Sequence, residues 1–578
     1  MRKLLIYLKG YYKEAVLAPL FKMLEASFEL VVPLVMANII DVGIRSQNEL
    51  YIWKMCTVMI FLGIIGLVCS VTAQYFSAKA AMGFSTALRR SLFVHINSLS
   101  YRELDLLGTP TLITRITSDV NQAQTGVNLV LRLFLRSPFI VAGAVIMSFT
   151  INVKIALIFV IAVPLISLVI YLIMKATVPI YKEVQKYLDR ISRLTRENHV
   201  GVRVIRAFGR QKEETEDFEK NNEWYTKIQI SAGKISALLN PATYVIMNLA
   251  IVAILWSGSI QVNVGNITQG GVVALVNYMT QILTALLALA NLIVAVTKAT
   301  ASGARLNEVF AIQPSMNDEG NMPQEIGRGH DRVQFQNVTY TYAGASAPAL
   351  ENISFEVKAG ETVGLIGGTG SGKSTLINLI PRFYDRDSGC VQVDGVPVER
   401  YPFWQLRSKI GMVPQHAVLF KGTVRENMQW GKSDATDEEI WAALRIAQAD
   451  EFVKEKKGGL DSLISQGGTN LSGGQRQRLT IARALVGRPE ILIMDDSASA
   501  LDFATDAALR HAIRKETEQM TVFIVSQRAS SIRQADRILV LDDGKLVGNG
   551  THAFLFDTCE VYREICLSQM TEQEVGRA

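Results

Sequence analysis

Six apolar segments, at 15–40, 55–74, 129–149, 155–174, 244–262 and 272–296, set the limits on what this chain can fold into. Most are long enough to cross the hydrocarbon core of a bilayer, about 30 Å thick, which takes about 20 helical residues. A water-soluble core has no use for six such stretches in one half of 578 residues. The first half therefore reads as an all-α membrane domain. The apolar share of 49% and the mean hydropathy of +0.21 agree. The length exceeds what one core can serve, so a second domain is expected. A net charge of +6 is modest and gives no reason to expect nucleic acid as a partner. The five cysteines form no C-x-x-C pair and read as free thiols. The opening MRKLLIYLKGYYKEAV lacks a compact apolar core with a small-residue cleavage site. It reads as a retained, amphipathic lead-in to the first span.

The spacing between spans gives an orientation. The gaps at 75–128 and 175–243 are long and carry many Lys and Arg, among them Arg89, Arg90, Arg190, Arg203 and Arg210. The loop at 261–271 has neither. Positive residues stay in the cytoplasm, which puts the long loops, the N-terminus and everything after residue 300 on that side. Apolar residues recur at helical spacing within both long gaps, so the spans are expected to continue into water as helices. The turns at 108–119 and 197–211 are the expected contacts for the second domain.

Charged and amide residues inside spans need a reason to be there. Glu25 and Glu29 lie four apart on one helical face, and so do Arg132 and Arg136. Asn277 and Gln281 repeat that spacing in the sixth span. They could pair with one another, or line a polar pathway in which Glu25 and Glu29 meet a cationic or amphipathic substrate. Pro33 and Pro138 are expected to kink their helices.

Residues 313–330, QPSMNDEGNMPQEIGRGH, read as a linker between a membrane domain at 1–312 and a domain at 331–578. In the latter, Gly367, Gly368, Thr369, Gly370, Ser371, Gly372, Lys373, Ser374 and Thr375 spell GGTGSGKST between two apolar runs. Strand, glycine-rich loop and helix start make this a phosphate-binding loop. Its backbone N–H groups and the helix N-terminus cradle phosphates. Lys373 reaches the β- and γ-phosphates and Ser374 ligates Mg²⁺. Tyr342 could stack on an adenine ring. ILIMDD at 491–496 is an apolar strand tipped by acids, with Asp495 placed to hold Mg²⁺. The nucleotide domain is thus α/β and expected to use ATP and Mg²⁺.

Between those two motifs lies NLSGGQRQR. With it, nearly the whole chain resembles an ATP-binding cassette (ABC) exporter half-transporter. Such a chain joins a six-helix transmembrane domain of type I ABC exporter fold to an α/β P-loop nucleotide-binding domain. The resemblance implies that Leu471, Ser472, Gly473, Gly474 and Gln475 contact ATP held by a partner subunit. It implies that Gln415, in VPQ, links Mg²⁺ and the γ-phosphate to the membrane helices. Ser499 and Asp502, in SALD, match the D-loop.

The chain departs from that family pattern at two positions. Asp496 stands where a catalytic Glu is usual. Asp is one methylene shorter, and a misplacement of about 1 Å in such a step can cost on the order of 100-fold in rate. Gln527 stands where a switch His is usual, and no His occurs between His511 and His552. Glutamine can hydrogen-bond a phosphate but carries no proton. The resemblance then implies one half of a heterodimeric, multidrug-type exporter. This chain would hold ATP at a degenerate site, and its partner would supply Glu and His. Membrane lipid and a hydrophobic or amphipathic substrate would be its other partners. The location implied is a plasma membrane, and the compact length fits a bacterial one. A homodimeric lipid or peptide exporter is the alternative, and a non-transporting regulatory subunit is the alternative of another class. Six spans exclude a soluble DNA-repair ATPase.

Overall fold

The computed structural model describes residues 2–318, 331–497, 501–516 and 519–569. The chain divides into two compact units. One comprises Met1–Asn97 and Pro110–Ile312, the other Ser98–Thr109 and Gln313–Ala578.

The first unit is helical throughout. Six helices are long and apolar enough to span a membrane: Lys3–Ile44, Glu49–Ser98, Thr109–Ile151, Val153–Ala207, Gln211–Asn263 and Gln269–Ala311. The second is an unbroken α-helix of 50 residues and the fourth contains one of 55. At 1.5 Å per residue these run to about 75 and 80 Å, far beyond the bilayer core. Their polar ends account for the Lys- and Arg-rich gaps. The spans pack through small residues, which let backbones approach closely in lipid. A Cβ on Gly126 would lie 2.2 Å from the Ala299 Cβ, and one on Gly270 would lie 2.3 Å from the Ala37 carbonyl oxygen. Leu30, Ala144, Phe159, Ile254 and Tyr278, from five spans, share one buried core. The outward faces keep their apolar side chains exposed, as at Ile64, Leu67 and Trp256.

Both prolines act on backbone bonding. Pro138 offers no N–H to the Phe134 carbonyl, so one backbone bond is missing between α-helices Val120–Leu133 and Arg136–Ile151, while Phe134 and Leu135 keep helical backbone angles. Pro33 leaves the first span continuous but orphans the Glu29 carbonyl. Gln281 Nε2 of the sixth span donates to that oxygen at 3.3 Å, and Tyr278 O–H donates to the next carbonyl, Leu30, at 2.7 Å. A single π-helical turn follows, Ile39–Ile44.

The second unit is α/β. Its strands are β1 (Val333–Tyr340), β2 (Leu350–Val357), β3 (Thr362–Gly367), β4 (Ser388–Val393), β5 (Val396–Pro397) and β6 (Ile410–Val413). Then come β7 (Gly422–Thr423), β8 (Leu463–Ile464), β9 (Ile491–Asp495), β10 (Thr521–Val525), β11 (Arg537–Asp542) and β12 (Lys545–Gly550). The six-stranded sheet runs β12-β11-β3-β10-β9-β6, parallel except for the edge strand β12. The inner strands β11, β3, β10 and β9 are near-continuous apolar runs, as a sheet covered on both faces requires; β9 is buried at all five positions. A four-stranded sheet, β2-β1-β4-β5, packs its Val333, Phe335 and Phe355 into the same core as Val363 and Ile493.

The short helix Tyr101–Leu107 belongs to this unit. It starts on a capping box made by Ser100 and Glu103. The Tyr101 ring lies 4.7 Å from that of Phe383, and Tyr384 O–H donates to Asp105 Oδ2 at 2.7 Å. Of the stretch 108–119, residues 110–119 belong to the first unit, where Asp119 pairs with Arg115 and Arg305. The stretch 197–211 also belongs to the first unit.

Candidate functional site

Parallel strands leave a crevice at their carboxyl ends, and three neighbours in the sheet deliver the site's groups there. β3 runs into the phosphate-binding loop, β9 ends on Asp495 and Asp496, and β10 ends before Ser526 and Gln527. One cavity of about 410 Å³ is lined by Tyr342, Thr369, Gly370, Gly372, Lys373, Ser374, Thr375, Gln415, Asp495, Asp496 and Gln527. Ala349, Val525 and Ser526, which carry no motif, complete it.

The loop's shape depends on glycine. Gly372 sits at φ +95°, and a Cβ there would fall 2.6 Å from the Ala349 carbonyl oxygen. The helix Lys373–Leu379 begins directly after it, so its N-terminal N–H groups face the cavity. Lys373 Nζ donates to the carbonyls of Gly367 and Gly368 at 2.9 and 2.5 Å, and to Ser371 Oγ at 3.2 Å. Ser374 Oγ donates to Asp495 Oδ1 at 3.2 Å. A hydroxyl and a carboxylate this close suit Mg²⁺, which takes one or two carboxylates together with substrate phosphates. Tyr342 O–H lies 3.1 Å from Thr375 Oγ1, and its partly exposed ring meets those of Tyr340 and Tyr384 edge-on at 5.0 and 5.6 Å.

Burial sets the charges. It pushes the Asp495 and Asp496 carboxyls above the usual carboxylate range. It pushes the Lys373 ammonium below its ordinary value, against the pull of both aspartates. Mg²⁺ and phosphate, once bound, favour the charged forms of all three. Asp496 takes φ +44°, a left-handed conformation that Asp tolerates better than most residues. Its N–H donates to the Val525 carbonyl at 3.0 Å, which ties the acid to the strand before Gln527. The two departures from the family pattern thus face one cavity.

The signature lies elsewhere. Ser472 caps the helix Gly473–Leu485 in a capping box with Gln475, and Leu471 anchors the turn in the core. Ser472 and Gly473 are exposed, and none of the five residues from Leu471 to Gln475 lines the phosphate-loop cavity. Asp502 accepts from Thr505 N and Oγ1 at 2.8 and 2.9 Å. Ser499 lies outside the described residues.

In the membrane unit neither carboxylate stands free. Glu25 takes Lys22 Nζ at 2.6 Å, and Lys22 also reaches Ser70 Oγ at 3.0 Å. Glu29 takes an Arg136 guanidinium nitrogen at 2.8 Å, and the same nitrogen lies 3.8 Å from Glu25. The two glutamates expected to meet a cationic or amphipathic substrate are both engaged by cations of the first and third spans. Asn277 turns back to the Val273 carbonyl of its own helix. Lys22 was missed in the sequence, although its spacing of three from Glu25 is a helical ion-pair spacing.

Comparison with known proteins gives the same two-part division. The profile of the ABC transporter transmembrane region matches residues 16–286, and that of the ABC transporter matches 350–499. The ABC transporter ATP-binding protein YfiB of Bacillus subtilis (strain 168) is 38% identical over 569 residues, 98% of each chain. The chain belongs to the ABC transporter family. An ATP-dependent lipid A-core flippase of Salmonella typhimurium is 31% identical over 528 residues, 90% of this chain and 89% of that one. A bacterial Atm1-family ABC exporter with ATP bound shares the fold at TM-score 0.79 and 24% identity, over 97% of this chain and 99% of that one. The fold is that of a type I ABC exporter, and the protein is an ATP-driven, multi-pass membrane transporter. ABC exporters work as dimers.

Proposed function

We propose that this chain is one half of a heterodimeric exporter of hydrophobic or amphipathic compounds, of multidrug type, and that its own ATP site is degenerate. The observation that carries the reading is that Asp496 and Gln527, the two residues out of pattern, line the same cavity as Lys373, Ser374 and Asp495. The groups that bind ATP and Mg²⁺ are all there. The carboxylate that should orient the attacking water is short, and the group that should carry a proton beside the γ-phosphate is an amide. ATP binds and is slow to be cleaved.

The intact signature has the opposite consequence. Ser472 and the N-terminus of its helix complete the partner's site, where a Glu and a His drive turnover. ATP held at both sites clamps the two nucleotide domains and turns the membrane cavity outward, and hydrolysis at the fast site resets it. The N-terminus and the nucleotide domain face the cytoplasm, as the Lys and Arg of the long loops require.

The test is ATPase activity of the purified chain in lipid, alone and with a candidate partner. Low activity alone and a large rise on mixing is the expected result. Full activity alone would replace this reading with a homodimer.

A further inference from the structure

The backbone of the switch position is held from outside the ATP cavity. Gln527 lines that cavity with Lys373 and Asp495. Its carbonyl accepts from Gln569 Nε2 at 2.7 Å, 42 positions further along the chain. Oε1 of the same amide accepts from the Ala529 N–H at 2.9 Å. One side chain thus brackets the turn 527–529. The helix Ala529–Ile532 starts there, and the first N–H groups of a helix have no partner within it. Its N-cap residue is Arg528, whose side chain makes no cap bond. Gln569 supplies that acceptor, and also the donor that Gln527 needs. An amide can do both, whereas a carboxylate can only accept.

Gln569 is itself well anchored. It ends the helix Glu560–Gln569, in which Tyr562 and Cys566 are fully buried four residues apart. They share one core with Ala529 and Ile532 of the switch helix and with Ile366 of β3, the strand that enters the phosphate loop. His552 Nδ1 lies 2.8 Å from the Tyr562 hydroxyl and holds the helix at its other end. The entrance of the turn is tied to the sheet: Ser526 N–H donates to the Leu365 carbonyl at 3.1 Å, and Arg528 N–H to Ser526 Oγ at 2.9 Å. Gln569 ties its exit.

We infer that Gln569 is a positioning residue of the ATP site. By fixing the 527–529 backbone it keeps the Gln527 amide in reach of the γ-phosphate. It does not line the cavity and touches no nucleotide itself. The inference rests on the reading of Gln527 as the group beside the γ-phosphate. Without Gln569 the turn samples more conformations, and binding must order it. ATP then loses affinity. ADP, which has no γ-phosphate, does not.

The experiment titrates the full chain in lipid nanodiscs with the Mg²⁺ complexes of AMP-PNP, which keeps a γ-phosphate and resists cleavage, and of ADP. Gln527→Ala is expected to weaken AMP-PNP by about tenfold or more, the worth of a hydrogen bond to a charged group, and to leave ADP unchanged. Gln569→Leu removes both bonds at similar size and is expected to weaken AMP-PNP by about fivefold, the scale of one ordinary hydrogen bond, again with ADP unchanged. Gln569→Glu keeps the acceptor and loses the donor, so it should fall between. Ser568→Ala tests for fraying of the last turn. Its hydroxyl donates to the Ile565 carbonyl of its own helix, and neither ligand should change. Gln527→Ala combined with Gln569→Leu should bind AMP-PNP no more weakly than Gln527→Ala alone, because Gln569 acts through Gln527.

Unchanged AMP-PNP binding in Gln569→Leu, with the loss present in Gln527→Ala, would overturn the inference alone. Equal losses of AMP-PNP and ADP in Gln569→Leu would make the residue a structural brace and overturn it as well. So would losses that add in the combined variant. Unchanged AMP-PNP binding in Gln527→Ala would sink the reading of Gln527, and the inference with it.

Discussion

At the scale of the residue, the proposed degenerate site rests on one methylene at Asp496 and one amide at Gln527. Asp496→Glu together with Gln527→His restores the family's pair on the same backbone positions. It is expected to raise the ATPase rate of this chain by on the order of 100-fold, the scale a 1 Å error costs. Asp496→Asn should change the two-chain complex far less than removing the partner's catalytic glutamate does; equal losses would count against a degenerate site. A different residue sets a pH dependence. His552 is buried, with Nδ1 2.8 Å from the Tyr562 hydroxyl, and burial together with nearby Arg533 holds its pKa below the usual value. The unfolded chain takes up that proton first. Stability is then full above the ordinary histidine value near 6.5 and falls as pH drops from there toward the lowered one. Thermal melts of the full chain between pH 7.5 and about 5 should show that slope, and His552→Gln should flatten it. The substituted positions were legible from sequence because motifs carry their own numbering. The pairing of Glu25 and Glu29 was not: spacing along one helix shows which residues share a face, but not which cation a neighbouring span brings to it.

At the scale of the element, the sequence spoke most clearly where one period dominates. Six spans, their helical extensions into water, and the strand-loop-helix around Lys373 all follow from runs of apolar residues broken by glycine or charge. Where a helix changes its hydrogen bonding, the signal is weaker. Pro138 marks the missing backbone bond at Phe134, but the π-helical turns Ile39–Ile44 and Arg115–Asp119 carry no proline at all. The helix Tyr101–Leu107 is a similar case. Its capping box is local, but its membership of the second unit depends on Phe383, Tyr384 and Asp105 meeting across nearly 280 positions of chain. Asp105→Ala leaves the Tyr384 hydroxyl without its acceptor. It should loosen this helix by about 1 kcal/mol, the net worth of such a bond, seen as faster amide exchange over 98–109. The phosphate loop gives a sharper test. Gly372→Ala sets a methyl group against the Ala349 carbonyl at a positive φ, and should abolish nucleotide binding in an equilibrium titration without unfolding the membrane unit.

At the scale of the whole molecule, the proposed heterodimer has the phosphate loop and the signature of one chain serve different ATP molecules, which would make their variants unequal. In the two-chain complex, Lys373→Ala removes a contact to the ATP of the slow site. Ser472→Arg blocks the exposed helix N-terminus that closes the fast one. The first should lower steady-state turnover by less than about tenfold, because the fast site keeps all its groups. The second should lower it by on the order of 100- to 1,000-fold, the cost of losing a transition-state donor in a closed site. A homodimer has two identical sites, each built from both motifs, so there both substitutions hit every ATP equally and both should be severe. Measuring the two variants side by side therefore reads the symmetry of the assembly without knowledge of its substrate. It also holds if the partner's own signature is altered, because only the ratio of the two losses within this chain enters the comparison.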